Sequence, residues 1–87
     1  MYTFQFNQYK IKYPTNVIAE TFDEKWYYGI IFKVGRFKYE LIHNYAMNTQ
    51  RLLITEQAKT GANGWQDIPF KSETFKLLPR DIIVEVR

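Results

Sequence analysis

The sequence predicts a mainly β protein: one small domain formed by a curled antiparallel sheet or by a small SH3-like or OB-like barrel of five or six strands. Two observations support this prediction. Val, Ile, Thr, Phe, Tyr and Trp supply 36 of the 87 residues, against 11 for Ala, Leu and Met, and β-branched and aromatic residues favour strands. Two stretches also alternate apolar and polar residues on either side of a short turn. The alternative is an α+β fold in which one helix packs on an antiparallel sheet.

Length and composition limit the class of protein. A chain of 87 residues predicts a single domain, 1–87, and a hydrophobic content of 46% argues against intrinsic disorder. The absence of cysteine excludes disulfides and thiolate metal sites. No signal peptide or membrane-length apolar run is visible. We therefore expect a cytoplasmic protein that does not contact a membrane.

The stretch YTFQFNQYKIKY, residues 2–13, predicts a first hairpin with Asn7-Gln8 as its loop. The expected pairs are Phe6 with Tyr9, Phe4 with Ile11 and Tyr2 with Tyr13. Asn-Gln is a weaker turn than Asn-Gly, so a single bulged strand is the alternative. In both cases we expect the aromatic side chains to form core rather than an exposed stacking surface, because large isolated apolar patches are rare on soluble proteins.

The next segment carries two conflicting patterns. Ile18, Phe22 and Trp26 recur every four residues, which suits a helix. The β-branched residues at 17, 18 and 21 favour a strand instead. We predict a short helix over about 15–25.

The stretch WYYGIIFKVGRFKYELIH, residues 26–43, predicts a second hairpin with Val34-Gly35 as its loop. The expected pairs are Phe32 with Phe37, Ile30 with Tyr39, Tyr28 with Leu41 and Trp26 with His43. A three-residue loop would change these pairs. Gly29 in the middle of a strand indicates a bend or a bulge.

The C-terminal half predicts three more strands and one helical turn. Residues 50–57 form a strand, 58–64 a loop, and 65–70 an edge strand, because Pro69 cannot donate to a ladder. Residues 72–78 form a helical turn that begins at a Ser72 cap and ends before Pro79. Residues 81–87 close the chain as a strand with Ile82, Val84 and Val86 on one side.

The sequence shows no convincing catalytic constellation. The chain has one histidine, His43, which the predicted register places on the core side, where a structural role is expected. A zinc site would need three carboxylates around that single imidazole, an uncommon set. Glu20, Asp23 and Glu24 could cluster, but charged residues beside a turn are usually only solvated. We therefore predict no enzyme, no metal and no cofactor.

Six residues are predicted to bind a partner. In the predicted second hairpin Lys33 lies opposite Arg36 with Lys38 nearby, and like charges opposed across strands are unfavourable. Positions that break such a rule are often functional. The full predicted set is Lys10, Lys12, Tyr27, Lys33, Arg36 and Lys38.

These features support three functional hypotheses. The leading one is a non-enzymatic protein that occupies a surface of a protein partner, in concrete form an inhibitor or modulator encoded by a phage or mobile element. Residues with A/T-rich codons number 38, which suits such an origin. The second is a small barrel that binds single-stranded nucleic acid. The third is a ribonuclease, because GRFKYELIHNY (35–45) faintly resembles a strand pair in small bacterial toxin ribonucleases, although their N-terminal helices have no counterpart here.

Overall fold

The computed structural model describes residues 1–57 and 63–86, and within them it contains eight strands and one short helix. The strands are β1 (Tyr2–Phe6), β2 (Tyr9–Tyr13), β3 (Ile18–Asp23), β4 (Tyr27–Val34), β5 (Phe37–Asn44), β6 (Thr49–Gln57), β7 (Asn63–Pro69) and β8 (Ile83–Val86). The helix is a 3-10 helix, Ser72–Leu77. The mainly β prediction is confirmed. The α+β alternative is wrong for the described residues, because their only helix is six residues long.

The strands form two antiparallel sheets rather than one sheet or barrel of five or six strands. One sheet has the order β1-β2-β8 and the other the order β3-β4-β5-β6-β7. Their facing sides share one core, whose fully buried members are Phe6, Ile11, Ile30, Phe32, Leu41 and Leu52. Aromatic contacts join the sheets, as between Tyr13 and Phe32, whose ring centroids are 5.1 Å apart. The predicted number of strands, five or six, was too low for two reasons. The segment that forms β3 was predicted to be a helix, and β1 and β2 were alternatively predicted to form a single bulged strand.

The first hairpin is confirmed with its predicted register, Tyr2 opposite Tyr13 and Phe6 opposite Tyr9. Asn7 adopts a φ of +52° in the loop, a conformation that asparagine tolerates better than most residues. The Asn7 backbone N–H donates a 2.8 Å hydrogen bond to the Tyr28 hydroxyl. This bond ties the loop to the five-stranded sheet.

The helix predicted over about 15–25 is wrong, because residues 18–23 form strand β3. Ile18 pairs with Lys33 and Phe22 with Gly29 in an antiparallel ladder with β4. A spacing of four residues keeps side chains on one face of a strand as well as of a helix, so this periodicity does not distinguish the two. The β-branched residues were the more informative signal.

The second hairpin is confirmed, but its predicted register is wrong by two residues. The loop is Gly35-Arg36, so Lys33 lies opposite Lys38 and Tyr28 opposite His43. Gly35 has a φ of +60°, and two-residue hairpin loops favour glycine where φ is positive. A shift of two residues leaves the strand residues on their predicted faces. Trp26, predicted on the core face, lies before β4 and is 54% exposed.

The C-terminal predictions agree with the structure in outline. Strand β6 covers the predicted 50–57, and β7 is an edge strand that includes Pro69. Residues 63 and 64 of the predicted loop begin β7, and the rest of that loop lies outside the described residues. Strand β8 pairs with β2, which brings the two ends of the chain into one sheet.

The 3-10 helix begins differently from the prediction. Its N-cap is Lys71 rather than Ser72. The Lys71 backbone N–H donates to the Thr74 hydroxyl at 3.0 Å, and that hydroxyl donates to the Lys71 carbonyl at 2.6 Å. On either side of this turn, Phe70 and Leu78 are buried and anchor it to the core.

Candidate functional site: the outer face of the five-stranded sheet

The candidate site is the side of the five-stranded sheet that points away from the three-stranded sheet, which we call the outer face. Successive strand residues alternate between faces, so the outer face carries the neighbours of core residues such as Ile30 and Leu41. Strand by strand, it presents Ile18, Glu20, Phe22, Tyr27, Ile31, Lys33, Lys38, Glu40, Ile42, Arg51, Leu53, Thr55, Trp65 and Asp67. Cations lie at its end near the β4–β5 loop, and the rest of the face mixes apolar side chains with the carboxylates of Glu20, Glu40 and Asp67.

Three cations, Lys33, Arg36 and Lys38, gather at the β4–β5 loop, and we call them the basic tip. They line one shallow cavity of about 370 Å³. The Arg36 carbonyl accepts a 2.9 Å hydrogen bond from the Gln57 N–H. This bond holds the loop against the end of β6, so the backbone that carries the three cations is fixed at both sides.

The basic tip is only partly neutralised. Lys33 lies directly opposite Lys38, an unfavourable pairing of like charges. Glu40 forms an ion pair with Lys38 at 3.0 Å and offsets part of this repulsion. Within residues 1–57 and 63–86, neither Lys33 nor Arg36 forms an ion pair.

The remaining predicted binding residues lie elsewhere. Lys10 and Lys12 belong to β2 in the other sheet. Lys12 forms a 2.7 Å ion pair with Glu85 and lowers the pKa of that carboxyl. Tyr27 lies on the outer face but six residues from Lys33 along β4, about 20 Å away at the rise of a strand. The structure thus brings three of the six predicted residues together.

A groove of about 580 Å³ runs from the middle of the outer face to the end opposite the basic tip. Half-buried Phe22, Ile31 and Ile42 form its floor. Three carboxylates and one phenol line its rim, and we call the whole set the acidic groove: Glu20, Phe22, Glu24, Tyr27, Ile31, Glu40 and Ile42. Within the part of the chain that the structure describes, Glu20 and Glu24 form no ion pair.

A fourth carboxylate beside the groove is already engaged. Asp23 accepts a 2.7 Å hydrogen bond from the Tyr45 hydroxyl. This bond raises the pKa of Tyr45 to about 12, because ionisation of the phenol would place a second negative charge against the carboxylate. Lys25, in the same turn, lies over the ring of Trp26, with Nζ 5.1 Å from the centroid. Both groups keep their charges, but neither Asp23 nor Lys25 lines the acidic groove.

Gly29 shapes the floor of the acidic groove. It is buried opposite Ile42, and the ladder between β4 and β5 runs through it without interruption, so it marks a close approach rather than a bulge. A Cβ at this position would overlap the carbonyl oxygen of Leu41 and lie 2.8 Å from Cζ of Phe22. Phe22 thus occupies the space above Gly29, as an aromatic ring often does over a strand glycine.

His43 lies in the core and away from the outer face, with 6% of its surface exposed. It faces Tyr28 and Gln50 across the ladders rather than the predicted Trp26. Its Nδ1 is 2.8 Å from Nε2 of Gln50. Because the amide nitrogen can only donate, Nδ1 accepts and the proton of the neutral ring is on Nε2. Burial lowers the pKa of His43, which favours this neutral form.

A second cavity of about 400 Å³ opens on the inner side of the five-stranded sheet. Its walls include Phe37, Tyr39, Ile54 and Leu77, and burial raises the pKa of Tyr39. The cavity lies at an end of the five-stranded sheet's core face that the smaller, three-stranded sheet does not cover. Its lining is mainly apolar, with no grouping of charges comparable to the acidic groove among the residues named.

The basic tip was predictable from the sequence, whereas the acidic groove was not. The helix predicted over 15–25 separated Glu20 and Phe22 from the sheet to which they belong. Had that segment been assigned as a strand, its alternation would have placed both residues on one face. Glu20 and Glu40 lie in one row on either side of Ile31, because β3 and β5 pair with the two edges of β4.

Neither a metal site nor a membrane helix is found in the described residues. In residues 1–57 and 63–86, no three His, Asp or Glu side chains are grouped so as to hold a metal ion. Nor does that part of the chain contain a helix long and apolar enough to cross a membrane. Comparison with protein-family models, with curated proteins and with solved structures found no match. The function must therefore be inferred from the chain's own surface.

Proposed function

We propose that this chain is a non-enzymatic binding protein that occupies a surface of a protein partner and docks through the outer face. The observation that supports this most is a single sheet face on which a basic end adjoins a groove with an apolar floor and an acidic rim. Protein interfaces combine an apolar centre with a polar rim. Opposite charges at fixed positions orient the partner and discriminate against others.

The apolar side chains of the outer face support docking rather than simple solvation. Phe22, Ile31, Ile42 and Leu53 are only half-buried, and Ile31 and Leu53 both lie beside Glu40 in one row across the strands. Neighbouring apolar side chains that face solvent are typical of interaction sites. A partner that covers them gains stability from the area removed from water.

Single-stranded nucleic acid is the second candidate ligand, and the basic tip is what favours it. Phosphates are attracted to cations such as Lys33 and Arg36, and bases stack on exposed aromatic rings. The acidic groove opposes this function, because a phosphate backbone that continued along the same face would meet Glu20 and Glu24. A protein partner, in contrast, can place an acidic patch against the basic tip and a basic patch against the acidic groove.

In its most concrete form the proposal is a cytoplasmic inhibitor or modulator encoded by a phage or mobile element. Its support is the small size of the chain and a composition typical of an A/T-rich gene. The partner would then be a component of a host system whose surface the outer face covers.

The double variant Lys33→Glu/Arg36→Glu is expected to reduce capture of the protein partner by about tenfold, because it replaces attraction by repulsion at two unpaired positions. The measurement is quantitative mass spectrometry of proteins retained by the immobilised chain at physiological salt. The matched control is Lys76→Glu/Arg80→Glu, which changes the net charge equally at exposed positions outside the outer face. The control is expected to retain the partner.

Two results would contradict this proposal. One is equal loss of captured proteins in both double variants, which would indicate attraction by net charge alone. The other is salt-sensitive binding of labelled single-stranded DNA or RNA, detected by fluorescence polarisation and abolished by Lys33→Glu/Arg36→Glu. That second result would assign the basic tip to nucleic acid.

A further inference from the structure

The acidic groove combines two features that rarely serve the same ligand. Its floor is apolar, formed by Phe22, Ile31 and Ile42, and its rim carries Glu20, Glu24 and Glu40. An acidic ligand would be repelled by the rim, and a purely apolar ligand would leave the carboxylates beside it poorly solvated. A ligand that fits both must be apolar along its length and positively charged at its end.

Arginine and lysine side chains meet this description. Their aliphatic stems pack along apolar surface while the charged head stays at the edge. In the acidic groove a stem can lie over Ile31 and Ile42 and direct its head toward the carboxylates. Tyr27, exposed by 42%, adds an aromatic ring at the rim, and such rings attract guanidinium and ammonium groups.

The charges around the groove leave two carboxylates for such a head group. Glu40 is shared with Lys38 at 3.0 Å, and Asp23 accepts the hydrogen bond from Tyr45. Arg51 pairs with Asp67 at 2.8 Å. Glu20 and Glu24 have no cationic partner within residues 1–57 and 63–86. The chain as a whole has a net charge of +3, so the negative charge of the groove is opposite in sign to the net charge of the protein.

We propose that the acidic groove binds a basic segment of the protein partner, with an arginine or lysine stem on the apolar floor and its head against Glu20 and Glu24. This inference rests on the proposed function, since it specifies the chemistry of the partner at one end of the outer face. The partner then carries a basic segment opposite the groove and an acidic patch opposite the basic tip. Along the strands the groove extends from Glu20, about 7 Å from the row of Lys33, to Tyr27, about 20 Å from it.

The test uses a fluorescein-labelled peptide of alternating arginine and serine, titrated with the full chain at low salt and followed by fluorescence polarisation. Glu20→Gln/Glu24→Gln is expected to weaken binding by about tenfold. The matched control, Glu73→Gln/Asp81→Asn, removes the same charge from exposed positions outside the groove. It is expected to weaken binding less than about twofold.

A second peptide isolates the contribution of the floor. In it, diaminopropionic acid replaces arginine and keeps a cation without the long aliphatic stem. We expect this peptide to bind more weakly. We also expect that addition of the arginine peptide changes the NMR chemical shifts of backbone amides of the chain only at residues that line the groove. Equal affinity for the two peptides, equal effects of the two double variants, or no binding of either peptide would overturn the inference.

Two further outcomes separate this inference from the proposed function. If the captured partner depends on Lys33 and Arg36 but the arginine peptide does not bind, docking through the outer face stands and the basic segment is refuted. If the peptide binds but no captured protein is lost in Lys33→Glu/Arg36→Glu, the proposed function is refuted instead. If sedimentation shows dimers that Lys33→Glu/Arg36→Glu dissociates, a second copy's basic tip fills the groove, and that result also overturns the inference.

Discussion

Gly29→Ala is expected to lower the free energy of unfolding by about 3 kcal/mol. A methyl group at this position would overlap the carbonyl oxygen of Leu41, which belongs to the backbone of the neighbouring strand and cannot rotate away. It would also lie 2.8 Å from Cζ of Phe22, so the ring over the glycine must move as well. Urea denaturation followed by circular dichroism measures the effect.

Gly64→Ala is the matched control for this prediction. Gly64 also lies in a strand, yet no atom comes within 4 Å of a Cβ built there, and its φ is not positive. The same substitution should leave the midpoint of unfolding unchanged or raise it slightly, because alanine loses less conformational entropy than glycine on folding. Similar midpoints for the two variants would show that β4 and β5 are not held in this close approach.

Phe6→Ala is expected to lower the free energy of unfolding by about 3–5 kcal/mol. Phe6 is fully buried and contacts Tyr28 of the five-stranded sheet and Phe70 before the 3-10 helix, with centroids 6.2 and 5.4 Å away. Its removal leaves a cavity where three parts of the chain meet. Thermal and urea unfolding measure the loss, and Phe6→Leu gives an intermediate value if the alanine variant does not fold.

Tyr2→Ala provides the comparison within the same strand and on the same face. Tyr2 is 55% exposed, and its ring contacts that of Tyr13 at 5.6 Å. We expect a loss of about 1 kcal/mol or less. If Tyr2→Ala destabilised the chain as much as Phe6→Ala, the two sheets would not share the core described above.

The opening aromatic stretch was predictable because a hairpin has local rules. Phe4, Phe6, Tyr9 and Ile11 follow a period of two on each side of a two-residue loop, and alternation of that kind identifies a half-buried strand pair. The segment 18–23 was not predictable in the same way. A spacing of four between Ile18 and Phe22 satisfies both a helix and a strand, so the β-branched residues of this segment were the local signal that favoured a strand.

The candidate site was predictable at one end only. The basic tip follows from the second hairpin, although its loop was predicted one residue too early. The resulting register error is two residues, an even number, so the strand residues keep their predicted faces. Lys10 and Lys12 could not be assigned to a surface from sequence, because nothing local states that β2 joins β8 in a separate sheet. The acidic groove needs β3, β4 and β5 side by side, which is tertiary information.

Site-specific photocrosslinking tests most directly whether a protein partner binds to the outer face. A benzophenone amino acid replaces Tyr27 on the outer face or, as the control, Tyr2 in the other sheet; the two tyrosines are 42% and 55% exposed. Both chains are irradiated in nuclease-treated lysate of cells that express the protein. We expect a discrete protein adduct from position 27 and none from position 2. Adducts of equal yield from both positions, or from position 2 alone, would contradict this expectation.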